Sequence, residues 1–156
     1  MMRRIDKEIS DIHSIELILR EADHCVIALS DNNSPYMVPM NFGFKDNKLY
    51  LHSSPEGRKI EILKVNNKVL FGVKIKTELV KNEKACNWGM DYMRVIGEGY
   101  AYFIENHNKK VEALNIIMSK YSDNGSNTFE YTETALNKVS IKVEVNELKG
   151  KISGYK

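Results

Sequence analysis

The chain has 156 residues, of which 42% are hydrophobic and 28% charged. Lys and Arg number 23 against 21 Asp and Glu, a net charge of +2. A length of this order makes one domain over 1–156 the expectation, able to bury about 70% of its unfolded surface, while the balanced charge and the lack of a basic block exclude a nucleic-acid-binding reading.

The start, Met1-Met2-Arg3-Arg4-Ile5-Asp6, is charged with no apolar core behind it, which is not a signal-peptide pattern. No stretch reaches the apolar length of a membrane span, so a cytoplasmic location is expected. Ile9, Ile12, Ile15, Leu19 and Ala22 recur at helical spacing, with Ser10 or Asp11 as the cap. Cys25–Ser30 reads as a buried strand ended by the polar turn 31–34. The two cysteines, Cys25 and Cys86, are too few for a disulfide framework and lack the spacing of a metal knuckle.

Residues 35–44 (PYMVPMNFGF) read as a strand interrupted by Pro39, which places that strand at a sheet edge or at a bulge. Asn41, polar between apolar neighbours, leaves groups free for a ligand or marks a structural bulge. The turn 45–48 then joins this strand to the next, 48–53, as a hairpin. The run 49–60 (LYLHSSPEGRKI) reads as a strand feeding a helix, with Ser54 as the cap, Pro55 at its first position and Gly57 in its first turn. Hydroxyls, free helix N–H groups, Arg58 and Lys59 converge there, which suits either a phosphate or an ordinary capped surface helix.

Further along, 69–75 reads as a strand and 76–91 shows no pattern, although it holds Trp88, the only tryptophan. A strand over 91–104 carries Gly97 and Gly99, a signal of a bend or of close backbone approach. Residues 106–121 read as a helix and 139–145 as a last strand of strict alternation. Frequent strands without regular βαβ alternation indicate an antiparallel barrel decorated by helices, a mainly β, α+β fold. The sequence has no Ser-His-Asp order and no HExxH, Walker or GxGxxG pattern, and His13, His24, His52 and His107 are too scattered to argue for a metal.

The runs PYMVPMNFGF, LYLHSSPEGRK, DYMRVIGEG (91–99) and ELKGK (147–151) together resemble the flavin-binding split-barrel family related to pyridoxamine 5′-phosphate oxidase. Within it they are most similar to the branch of 5-nitroimidazole-resistance (Nim) proteins, over nearly the whole chain from Arg3-Arg4 to Lys151. The resemblance implies an antiparallel split β-barrel of the FMN-binding type, a homodimer with flavin at the subunit interface, and a small-molecule substrate. Ser53, Arg58 and Lys59, with Gly57 between them, would hold the FMN phosphate. Val38, Pro39, Met40 and Asn41 would line the isoalloxazine. His52 would lie near the ring and the substrate, as a candidate general acid. Trp88 and Arg94 would come from the partner or from the flavin's rim. Where relatives carry Tyr-x-Ser, this chain has Tyr92-Met93-Arg94, which removes a hydroxyl and adds a positive charge able to stabilise an anionic reduced flavin. FAD is also possible. The activity implied is reduction of a small acceptor such as a nitroimidazole; the alternative is a flavin- or haem-binding carrier or sensor. No second phosphate-binding cluster stands near the C-terminus, which argues against a pyridoxamine phosphate oxidase itself.

Overall fold

The structure is a computed structural model that describes residues 5–126 and 128–155. The expected basic pair Arg3-Arg4 lies outside the described residues. A short 3-10 turn, Ile5–Lys7, leads into β1 (Glu8–Ile9) and then α1 (Ile12–Glu21). Asp11 is the cap of α1: its carboxylate accepts from the backbone N–H groups of His13 and Ser14 at 3.3 and 2.9 Å. Ile15, Ile18 and Leu19 form the buried face of this helix, and Ala22 just beyond it is also buried.

β2 (Cys25–Asp31) and β3 (Ser34–Met40) are joined by Asn32 and Asn33, both at positive φ (48° and 68°). β4 (Gly43–Lys45) and β5 (Lys48–Ser53) are joined in the same way by Asp46 and Asn47 at 50° and 58°. Asn and Asp tolerate this region, and such two-residue turns match the twist of a hairpin. The pairing differs here from the sequence expectation of one hairpin between 35–44 and 48–53. β3 pairs back onto β2, the chain breaks at Asn41–Phe42, and only β4 pairs with β5. Two tight turns in close succession force this, because each folds a strand onto its own predecessor.

α2 (Arg58–Val65) follows, then β6 (Lys68–Val80), β7 (Gly89–Ile104), α3 (His107–Tyr121), the single turn α4 (Glu133–Leu136) and β8 (Val139–Ser153). β6 and β7 run through the unpatterned segment 76–91 as a two-stranded arm, with register shifting between Ile75 and Glu78. Alternation is absent there because every residue from Lys76 to Met90 is exposed. β8 is also longer than the alternation over 139–145, since a register shift between Glu98 and Gly99 re-aims its second half.

The sheet is antiparallel with the order β3-β2-β6-β7-β8-β5-β4, and β1 adds to β8. Its curvature encloses one core to which β2, β5, β6, β7 and β8 contribute, including Ile27, Leu49, Phe71, Val95 and Ile141. The end strands β3 and β4 do not pair with each other, so the barrel stays split, and Pro39 lies on an edge strand as expected. Cys25 is fully buried among these side chains, and burial pushes its thiol pKa up to about 12.

Candidate functional site

The segment between β5 and α2 departs from the sequence expectation in one respect. Residues 55–57 form a bend, and the helix begins only at Arg58, with Gly57 as its cap at φ 118°. Ser54 is therefore not the cap and Pro55 is not inside the helix. A side chain at Gly57 would meet nothing within 4 Å, so glycine is needed there for the backbone angle and not for space. Without a capping side chain, the first N–H groups of α2 are free to meet an anion.

Arg58 and Lys59 follow that cap. The Arg58 guanidinium lies 3.5 Å from the Asp31 carboxylate and 5.0 Å from the centroid of the Tyr36 ring, so the β2–β3 hairpin holds it. Lys59 is half-buried and makes no ion pair or hydrogen bond among the described residues. Burial lowers its pKa, because a desolvated ammonium without an anion is penalised. Ser53, at the end of β5, is 8% exposed, and its hydroxyl has no hydrogen-bond partner among the described residues. An unpaired, partly desolvated cation, an arginine, a free hydroxyl and an open helix start form a donor set that fits a phosphate. Sequence reasoning named these residues as candidates but not Asp31 and Tyr36, which hold the arginine. Only the β2–β3 pairing brings them close.

The segment 38–41 runs along the edge strand β3. Val38 packs against the core, Met40 is buried, and Pro39 and Asn41 are exposed. The break after Asn41 is fixed by Tyr121, whose hydroxyl accepts from the Phe42 N–H at 3.2 Å and donates to the Asp23 carbonyl at 2.8 Å. His52 is half-buried, and its Nε2 donates to the Ala135 carbonyl at 3.2 Å. A carbonyl only accepts, so this contact puts the neutral ring's proton on Nε2. Burial lowers the His52 pKa, and Lys138 and Lys110 lower it further against the opposing effect of the Ala135 bond. The neutral form therefore dominates near pH 7, with Nδ1 as an acceptor.

Trp88, on the arm, is 46% exposed, and its Nε1 donates to the Asn82 carbonyl at 2.7 Å. Arg94 lies half-buried on β7. Among the described residues neither Trp88 nor Arg94 makes a hydrogen bond, ion pair or ring contact with Ser53, Arg58 or Lys59. A cavity of about 850 Å³ between α1, β4 and α3 includes none of the candidate residues. It is a polar groove whose Lys120 already donates to the Leu19 and Arg20 carbonyls at 2.9 and 2.7 Å. Among the described residues no cluster of His, Cys, Asp or Glu could hold a metal, and no helix is long and apolar enough to cross a membrane.

A split antiparallel barrel of this strand order is the fold of pyridoxamine 5′-phosphate oxidase-like proteins. A family profile described as pyridoxamine 5′-phosphate oxidase matches residues 11–152. The chain belongs to that family. Among solved structures it is similar to a candidate 5-nitroimidazole antibiotic resistance protein from Bacteroides thetaiotaomicron. The two are 38% identical over 93% of this chain and 86% of the other, with a TM-score of 0.81. An FAD and heme binding protein from Mycobacterium smegmatis shares the fold at 15% identity, covering 96% of this chain and 74% of the other, TM-score 0.85. The flavocytochrome Anf3 from Azotobacter vinelandii does so at 18% identity, 99% and 73% coverage, TM-score 0.84. No curated protein sequence matches the chain.

Proposed function

We propose that this protein is an FMN-dependent oxidoreductase that reduces a small acceptor, with nitroimidazoles and other nitroaromatics as the substrate class. The observation that carries the flavin assignment is Lys59, a half-buried cation without an anion, beside Arg58 at the glycine-capped start of α2. In this reading Ser53, Arg58 and Lys59 bind the phosphate, and Val38, Pro39, Met40 and Asn41 line the ring along the β3 edge. The flavin supplies the electron-transfer chemistry; the chain binds, orients and shields it. His52 stands by the ring as the proton-handling group, and Trp88 and Arg94 complete the rim.

The reading includes a homodimer. On the outer face of the sheet, register places Met37, Ala28 and Leu70 in one row and Pro39, Val26, Gly72 and Ile96 in the next. Met37 is 71% exposed, and Leu70 and Ile96 are also exposed. A contiguous apolar face of this kind is what an interface needs. The nitroreductase part is supported by the 38% identity to the Bacteroides protein.

A second reading, a flavin- or haem-binding carrier or sensor, is favoured by the fold shared with the Mycobacterium and Azotobacter proteins. One experiment separates the two. The visible spectrum of the purified protein identifies flavin or haem, and reduced protein is then mixed with a nitroimidazole. Reoxidation on mixing supports the reductase; a haem spectrum, or a flavin that the nitroimidazole does not reoxidise, supports the carrier.

A further inference from the structure

The basic side chains of β6, β7 and β8 divide into two groups. Lys68 pairs with Glu98 at 2.9 Å, Lys76 with Glu21 at 3.5 Å, Lys142 with Glu144 at 2.9 Å and Lys149 with Glu147 at 2.7 Å. The other three, Lys74, Arg94 and Lys151, have neither an ion pair nor a hydrogen bond among the described residues. Register puts these three side by side: Lys74 is opposite Arg94, and Arg94 is opposite Lys151. Glu8 on β1 stands opposite Lys151 without forming an ion pair with it.

Like charges directly opposite on neighbouring strands destabilise a sheet. A row of three is therefore a cost to the fold unless an anion offsets it. The row lies on the face away from α1, because the next residues along, Ile75, Met93 and Ile152, line the small apolar pocket beneath that helix. Tyr92 orders the cations from within the same face. Lys74 Nζ is 4.8 Å and Lys151 Nζ 6.0 Å from its ring centroid, within cation–π range.

We propose that Lys74, Arg94 and Lys151, with the Tyr92 ring between the two lysines, form a binding site for a phosphate-bearing ligand on the outer face of the sheet. Two inter-strand spacings, roughly 10 Å, separate the outer backbones, and the long side chains converge from there, a span suited to a diphosphate. The site is not the phosphate cradle of α2. Extending the β2–β6 register places Lys74 level with His24, whereas Arg58 is held by Asp31, seven residues along β2 and so roughly 23 Å away. The ligand class is a free phosphorylated metabolite; the diphosphate of a dinucleotide flavin is not the source, because it contains the flavin phosphate that belongs at the start of α2.

The test is calorimetric titration of the full chain with inorganic pyrophosphate at low salt. Saturable binding is expected to include one pyrophosphate per chain that is weakened on the order of tenfold by Lys74→Ala and by Lys151→Ala. Lys68→Ala, which removes a lysine already paired with Glu98, should leave it unchanged. Without pyrophosphate, Lys74→Ala should melt at or above the wild-type temperature, because it relieves repulsion. Wild type that does not bind pyrophosphate, variants that bind it equally well, or a Lys74→Ala protein that melts several degrees lower would each overturn the proposal. FMN and FAD affinities of the apoprotein should be unchanged in Lys74→Ala; a loss of either flavin with the loss of pyrophosphate would overturn a site separate from α2. The pyrophosphate arm does not depend on the flavin reading, so apoprotein that takes up neither flavin sinks that reading alone.

Discussion

The Arg58 guanidinium rests 3.5 Å from the Asp31 carboxylate, so the cation at the start of α2 is held by an internal anion. A phosphate arriving there competes with Asp31 for the same group. Arg58→Ala should weaken FMN binding to the apoprotein about tenfold to a hundredfold, one charge-assisted bond being worth roughly 1.5–3 kcal/mol. Asp31→Asn should act the other way and tighten FMN, because it releases the arginine while keeping the shape of the side chain. Flavin fluorescence titration reads both. Unchanged affinity in Arg58→Ala would remove the phosphate from this position.

The lowered pKa of His52, caused first by its burial, has a sign that can be checked. Between the folded value and the unfolded value near 6.5, the unfolded chain binds more protons than the folded one. Stability contributed by neutral His52 is therefore present above pH 6.5 and is lost as pH falls towards the folded pKa. Melting temperatures of wild type should drop over that window, and His52→Gln, which can keep the bond to the Ala135 carbonyl, should flatten that part of the profile.

The same variant tests catalysis. If His52 is the proton donor for nitro reduction, reoxidation of the reduced protein should fall about a hundredfold or more in His52→Gln, and the wild-type rate should rise as pH drops. A mutant that retains its flavin and reacts at the wild-type rate would show that His52 only anchors α4 through Ala135.

Gly97 lies against the Phe71 ring; a Cβ placed there would meet ring carbons at 2.1 and 2.4 Å. Phe71 is 1% exposed and cannot move aside without disturbing the core. Gly97→Ala should cost about 1–3 kcal/mol, the usual effect of overpacking, measured by urea unfolding. A loss below 0.5 kcal/mol would mean that the ring relaxes freely.

Sedimentation velocity should give a mass of two chains, with flavin lost when the dimer is diluted below its dissociation constant. A monomer that holds flavin tightly would defeat the proposed interface site. Trp88→Ala should weaken the flavin or the dimer without lowering the stability of the barrel, because the tryptophan sits on the exposed arm and not in the core.

The sequence by itself determined the buried faces at Ile15 and Leu19 and over 139–145, the two hairpin turns, and the adjacency of Arg58 and Lys59. The spacing of Ile15 and Leu19, the alternation of Val139 to Val145, and the adjacency of Arg58 and Lys59 are local signals, set by the helix and strand periods. Gly97 and Gly99 were legible as a bend or a close backbone approach: the register shifts between Glu98 and Gly99, and a Cβ on Gly99 would lie 2.1 Å from the Glu144 carbonyl oxygen, whereas Gly97 abuts the Phe71 ring. Tertiary structure alone decided which strand pairs with which. Alternation fixes the face of a strand but neither its partner nor its register, so β3 could not be assigned to β2 over β5 from the chain. The start of α2 was misplaced because Ser54-Pro55 is a good local helix opening that the bend at 55–57 overrides. The arm was unreadable because neither of its faces is buried. The row of Lys74, Arg94 and Lys151 exists only through the β6–β7–β8 register, which joins residues distant in sequence. Non-local pairings are chosen by the packing of the whole core, and no single stretch of residues records that choice.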